Sequence, residues 1–492
     1  MGSAASLTDF TLMKTYKSIY NLLLAGALVG VAGCKLTQPV EQKARITAPQ
    51  TFTGQTDSTG IAAIQWKSFF KDAQLVALID TALQNNLDLR IAAQRIEMAR
   101  TNILAAQGAL LPSVSAEVTG GGRKFGDYTM DGVGNYDTNF SDNIDADRRL
   151  PAPFLPDYFV GLRSAWEIDI WGKLKTQKKA AYNRLLATEK ARHAIITGLI
   201  AEIASAYYEL IALDTEMAII QKNIVLQQSA VETIKIQKEG GRANELGVQQ
   251  LSAQLINTRS LEVEKQQEII ESENKLNLLL GRFPQPIVRN TILEQTLPQT
   301  VQAGVPANML RRRPDIQQAQ FDLLANYSEQ QAAQLAFLPS LNITAFLGFN
   351  SFKSNLLFNP GSIAYNAIGG LAAPLLNRKA LKAGQKRTEA ASLEALYTYN
   401  KAVLTGFQEV STSLKKLENN RKVKDFKTQE VEVLQQAVVT SKDLFATGYA
   451  SYLEVITAQR SVLEAELSLT NVQKNQYLAL IELYRSLGGG WE

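Results

Sequence analysis

The chain repeats itself, and that repeat restricts its fold more than any other feature. The stretch from Asn86-Leu87-Asp88-Leu89-Arg90 to Leu110-Leu111-Pro112-Ser113 returns as Arg313-Pro314-Asp315-Ile316-Gln317 to Phe337-Leu338-Pro339-Ser340, with Asp88 and Asp315, like Pro112 and Pro339, 227 positions apart. Further along, Gly241-Arg242-Ala243-Asn244-Glu245-Leu246-Gly247-Val248 returns as Gly448-Tyr449-Ala450-Ser451-Tyr452-Leu453-Glu454-Val455 at an offset of 207. The offset shrinks because the first copy carries a longer insertion, Gly120 to Pro156, rich in Gly, Asp and Asn and expected to be an exposed loop. Each copy is predicted to run helix, strand, loop, strand, very long helix, tight turn, returning helix.

The helices give the stronger periodic signal. No proline falls between Pro156 and Pro284, or after Pro374. Leu199, Ile203, Ala206, Leu210, Leu213, Met217, Ile220 and Ile224 keep four-three spacing, and Val403, Phe407, Val410, Leu414 and Leu417 repeat it. A sustained seven-residue period requires neighbouring long helices to pack against. Lys173 to Lys238 is 65 steps, roughly 100 Å of helix at about 1.5 Å per residue. Gly240-Gly241 and Gly448 then break the pattern and a new helix returns.

Strands show as alternation. Leu341, Ile343, Ala345, Leu347 and Phe349 alternate with Ser340, Asn342, Thr344 and Gly348, broken only by Phe346. Val114, Ala116 and Val118 alternate with Ser113, Ser115, Glu117 and Thr119, while Val160, Leu162, Trp166 and Ile168 oppose Arg163, Glu167 and Asp169. A fourth strand, near Ile363 to Ala372, is placed mostly by symmetry with the second. An apolar face opposite a charged one suits a lipid-facing barrel enclosing water. Alternation alone also fits a soluble hairpin half-buried on a core, and the helices alone fit a soluble coiled coil. Four strands cannot close a barrel, for which about eight are needed, and open edges are not tolerated in lipid. Three chains supply twelve strands under cyclic symmetry, whereas two supply only eight, too narrow for a wide pore.

Composition removes other classes. The net charge of +4, from 51 basic and 47 acidic residues, marks no nucleic-acid binder. One cysteine, Cys34, and one histidine, His193, leave no disulfide framework and no Cys/His zinc site. No metal site, no cofactor and no enzymatic activity are expected; only carboxylate chemistry stays open. Lys14 and Lys17 precede an apolar run, Leu22 to Gly33, of signal-peptide length. Val31-Ala32-Gly33-Cys34 resembles a bacterial lipobox, whose cysteine takes a diacylglyceryl group, and Lys35 is not the aspartate that retains some lipoproteins in the inner membrane. Residues 1–12 fit no signal pattern and are set aside as a leader. No other segment approaches the apolar run of a transmembrane helix, so a mature chain that crosses a membrane does so as closed β-structure. The expected division is a leader and signal peptide over 1–33, an extended linker over 34–65, a first repeat over 66–283, an equatorial linker over 284–305 and a second repeat over 306–492.

Six marks in order on this duplicated scaffold resemble one family. They are Trp66-Lys67-Ser68-Phe69-Phe70, the stretch Leu75 to Leu89, Trp166-Glu167-Ile168-Asp169-Ile170-Trp171-Gly172-Lys173-Leu174, Arg312-Arg313-Pro314-Asp315-Ile316, Ala373-Pro374-Leu375, and Tyr484-Arg485-Ser486-Leu487-Gly488-Gly489-Gly490-Trp491. From about Trp66 onward the chain is similar to the TolC-like outer-membrane factors of tripartite efflux pumps, in their lipoprotein (NodT-type) branch. The resemblance implies a mixed α and β membrane protein: a homotrimer whose twelve-stranded transmembrane β-barrel continues as an α-helical periplasmic barrel, lipid-anchored in the outer membrane. It implies a passive exit duct for small molecules, driven by an inner-membrane RND-type pump through a periplasmic adaptor. Adaptor docking then falls on Gly241, Arg242, Ala243, Asn244 and Leu246 with Gly448, Tyr449, Ala450, Ser451 and Leu453. The pore gate falls on Glu454, with Tyr452 and Thr457 beside it; Thr457 and Gly247 stand where relatives can carry further acidic residues, which points to a more steric gate.

Three constellations carry no ligand chemistry by sequence. Arg311-Arg312-Arg313 before Pro314-Asp315 reads as a helix start. His193 lies mid-helix without an evident partner, and Gly488-Gly489-Gly490 reads as a flexible terminator, not a phosphate loop. A duct for protein secretion and a poreless periplasmic scaffold remain alternatives, and the exported substrate is not legible.

Overall fold

The computed structural model describes residue 49, residues 51–52, 64–139, 142–150, 154–291, 306–376 and 378–491. Cys34, the leader and most of both linkers lie outside the described residues. The first copy comprises α1 (Trp66–Phe69), α2 (Ala73–Asn85), α3 (Leu87–Gly108), β1 (Ser113–Arg123), α4 (Met130–Asn139), β2 (Leu155–Ile168), α5 (Lys173–Glu239) and α6 (Glu245–Leu279). The second comprises α7 (Pro306–Arg312), α8 (Pro314–Leu335), β3 (Ser340–Ser351), β4 (Ile363–Ala372), α9 (Arg378–Thr447) and α10 (Tyr452–Ser486). The insertion after Pro112 is thus not one loop. Its Gly-rich start extends β1 to Arg123, α4 occupies its middle, and β2 already begins at Leu155.

Two helices run for 67 and 70 residues, and each is flanked by a column of two shorter helices stacked end to end. α6 and α3 form one column along α5; α10 and α8 form the other, lodged between α5 and α9. Both joints are built alike, as the repeat requires. Asn86, the N-cap of α3, accepts from the Asp88 and Leu89 amides and donates its Nδ2 to the Leu279 carbonyl at 2.9 Å. At the equivalent position Arg313 precedes α8 and donates from Nη1 to the Ser486 carbonyl at 2.9 Å. Gly281 (φ 67°) and Gly488 (φ 86°) turn the chain away from each joint. A Cβ on either would lie 2.6 Å from the Asn85 carbonyl oxygen or 2.7 Å from the Arg312 carbonyl carbon. Arg313 is buried and is neutralised by Asp315 (2.6 Å) and Glu409 (2.7 Å), as a buried guanidinium must be.

The second joint overturns one expectation, the flexible terminator, and supplies the packing partner of His193 that the sequence does not show. Gly488-Gly489-Gly490 is a packed terminus, with the Gly489 Cβ position occupied by the Tyr484 ring at 2.5 Å. It delivers Trp491 onto α5, where the indole stacks on His193 (centroids 4.7 Å apart, planes at 12°) with the Lys190 ammonium 5.3 Å from the ring. The Trp491 Nε1–H donates to the Arg312 carbonyl at 3.0 Å. His193 therefore has a partner, one that only tertiary structure supplies.

The main core fills the equator where the columns meet. Leu75, Ile203, Tyr207, Leu210, Leu276, Met309, Val410 and Leu483 are buried there. The predicted four-three stripe is its spine: Leu199, Ile203, Ala206, Leu210 and Met217 of α5 belong to that core, and Ile220 and Ile224 continue it toward the turn. Contrary to the expectation that no segment beyond the signal peptide approaches a transmembrane run, part of α5 is long and apolar enough, by length and composition, to cross a membrane. Most of that stretch is buried against its neighbours, as in a core helix.

All four strands join one antiparallel sheet in the order β1-β2-β3-β4, so the central β2–β3 pair ties the two repeats together. The hinge from sheet to helix explains the Trp-rich mark. Trp166 Nε1–H donates to the Leu110 carbonyl at 3.0 Å, Trp171 Nε1–H to the Pro339 carbonyl at 2.7 Å, and Asp169 caps α5 by accepting from the Leu174 and Lys175 amides.

Candidate functional site: the paired turns and the polar face of the sheet

Register sorts the sheet into two faces. Val114, Val118, Leu162, Ile343, Leu347, Tyr365 and Leu371 share one, and most are exposed. Ser115, Glu117, Thr119, Arg163, Asn342 and Asn366 share the other, joined by Phe159, Phe346 and Ile368. Phe346, the break in the sequence alternation, thus sits on the polar face. There it meets Phe159 edge to face (5.7 Å, 89°), and the Arg163 guanidinium lies 5.1 Å and 5.8 Å from the two rings. Arg163 also pairs with Glu117 on β1. The rings fit because Gly161 and Gly348 oppose each other beneath them; a Cβ on Gly161 would lie 2.8 Å from Phe159. Sequence reasoning missed this group, although the broken alternation was its signal.

At the far end of the helices each repeat makes the same turn. Gly241 (φ 72°) and Gly448 (φ 82°) adopt left-handed backbone, which glycine takes without penalty. The Arg242 amide donates back to the Gln237 carbonyl and the Tyr449 amide to the Leu444 carbonyl, both at 2.8 Å. Asn244 caps α6 by accepting from the Gly247 amide at 3.0 Å, and Ser451 caps α10. Glu454 completes a capping box: its carboxylate accepts from the Ser451 amide at 2.9 Å and from the Ser451 hydroxyl. That hydroxyl holds the Glu454 carboxyl below its usual range. Thr457 is exposed one turn further along α10.

The two turns lie side by side. Val231 and Ile234 of α5 and Val248 and Leu251 of α6 form a buried cluster on which Ala243, Phe445, Tyr452 and Ile456 pack. Leu246, Tyr449 and Leu453 stay exposed around it. Above it, a groove of about 550 Å³ runs between α6 and α10, lined by Gln254, Asn257, Leu453, Ile456, Arg460 and Leu463 among others. The predicted docking and gate residues are thus gathered within the two turns and the first two turns of α10.

A family model described as outer membrane efflux protein matches residues 78–282 and 305–489, one segment per repeat. The chain belongs to that family. This efflux protein is 29% identical over 478 residues to the solvent efflux pump outer membrane protein SrpC of Pseudomonas putida, covering 94% of this chain and 97% of that one. It is 26% identical over 476 residues to the probable outer membrane lipoprotein SilC of Salmonella typhimurium, covering 96% and 98%. Its fold matches the crystal structure of CusC, described in terms of folding and transmembrane channel formation, with a TM-score of 0.77, 26% identity, and coverage of 93% and 100%. The efflux protein is therefore an outer-membrane efflux channel.

Proposed function

We propose that three copies of this chain form a gated, passive exit duct for small molecules in a tripartite pump, with no catalytic step of its own. The observation that carries this is the matching pair of unfinished edges on each chain. Among the described residues, β1 and β4 each lack a strand partner on one side, a state lipid does not tolerate. Below the sheet, the α3/α6 column and α9 are the two outer members of the helical array. Ile256, Val263 and Ile270 lie exposed at seven-residue spacing on α6, and Phe426 and Val433 at the same spacing on α9. α6 rises from the turn while α9 descends to it, so these stripes fall at matching heights when one chain is set beside the next.

Cys34 is the proposed lipid-anchored residue. Phe52 stacks on Phe407 (5.2 Å), roughly 44 Å of helix below Arg378 at the head of α9. Eighteen residues of extended chain reach roughly 60 Å, enough to carry Cys34 to the membrane. The turns, with exposed Leu246, Tyr449 and Leu453, and the groove above them are the proposed docking site for a periplasmic adaptor. Glu454, Tyr452 and Thr457 are the proposed gate.

Electron microscopy of the detergent-extracted full chain, classified without imposed symmetry, tests the reading. A threefold cylinder of roughly 100 Å below a short membrane collar is expected from the helix length. Single chains or collarless rods would sink the duct and favour a scaffold.

A further inference from the structure

We propose that Gly247 and Tyr452 form an apolar clasp that holds the two turns of each chain together and keeps the duct shut. The inference rests on the duct reading above and assigns its resting contact. Gly247 occupies the first turn of α6, where glycine is a poor helix former, costing about 1 kcal/mol relative to alanine. The position is buried, and its missing side chain is filled from the other repeat. A Cβ there would lie 3.0 Å from Cδ1 and Cε1 of Tyr452 and 3.3 Å from Cγ. The ring of Tyr452 therefore takes the space that a side chain at position 247 would need, with Phe445 and Ile456 packed beside it on the Val231–Ile234–Val248–Leu251 cluster.

Charge does not join the turns. Lys238 pairs with Glu245 inside the first turn, and Glu454 is engaged by Ser451 inside the second. Among the described residues no ion pair or hydrogen bond crosses from one turn to the other, and none is made by the Tyr452 hydroxyl. The contact is thus steric and dispersive, and it depends on ring and glycine together. Opening removes the ring from its seat and uncovers buried aliphatic side chains, so the partner that opens the duct must present apolar surface to replace it.

The test is bilayer conductance of the full-length protein, paired with hydrogen–deuterium exchange over residues 243–248 and 449–456. Gly247→Val is expected to raise the resting open fraction about tenfold, given an ordinary overpacking penalty, and to speed exchange in both turns. Tyr452→Ala should do the same, whereas Tyr452→Phe should match the wild type in both readouts. A wild type that conducts measurably beside a Gly247→Val variant that conducts no more would overturn the clasp even if exchange accelerates. So would a Tyr452→Phe variant that leaks like Tyr452→Ala, because the hydroxyl would then be the lock. Absence of conductance in the wild type and in both loosened variants, Gly247→Val and Tyr452→Ala, overturns the duct reading instead.

Discussion

Trp491 touches three elements at once, through its stack on His193, its hydrogen bond to Arg312 and the Gly488 turn that delivers it. Truncating a half-buried indole in such a joint should cost about 1–3 kcal/mol, less than a fully buried one. A lowered thermal midpoint of Trp491→Ala in detergent is the expected outcome. His193 adds a pH dependence. Burial first, then Lys190 and Arg192, lower its pKa below the ordinary 6.5, and its Nδ1 has no hydrogen-bond partner. A base with a depressed folded pKa binds fewer protons folded than unfolded, so its contribution is complete above pH 6.5 and is lost as pH falls toward the folded value. Trp491 emission should change across that acidic window in the wild type, and the change should vanish in His193→Gln.

Among the elements, the sheet shows what a linear reading can and cannot supply. Gly348 faces Gly161 so closely that a Cβ would sit 2.5 Å from the Val160 carbonyl oxygen. Gly348→Val should therefore disrupt the β2–β3 pair, beyond the 1–3 kcal/mol typical of overpacking, with loss of protease resistance as the readout. The long helices were legible because only helices packed along their whole length sustain a seven-residue period over dozens of residues. β3 and the span of β4 were legible from alternation and symmetry. The outer end of β1 was not, because Gly120, Gly121 and Gly122 carry no strand propensity and are held by pairing with Tyr158, Asp157 and Pro156. The stack of His193 on Trp491 joins residues 298 positions apart and leaves no local trace. Its glycine turn did leave one, since Gly281 and Gly488 differ by the same 207 positions as the helical turns. At the candidate site, the repeated turns were visible in sequence, but the seat of Tyr452 on Gly247 needed the third dimension.

For the molecule as a whole, the exposed stripes on α6 and α9 make assembly the step most open to disruption. Val263→Glu or Phe426→Glu places a charge in an apolar seam, and each should shift the protein from trimer to monomer by size-exclusion with light scattering, while a control at exposed Glu464 should not. The two long helices have a further consequence. Each is a single α-helix of roughly 100 Å, without an internal proline, locked at its equator by the stacked columns. Such a body cannot stretch or telescope. It is a ruler: it fixes how far below the outer membrane the channel's mouth hangs, and leaves every change in the depth of the periplasm to be taken up by whatever meets it from the other side.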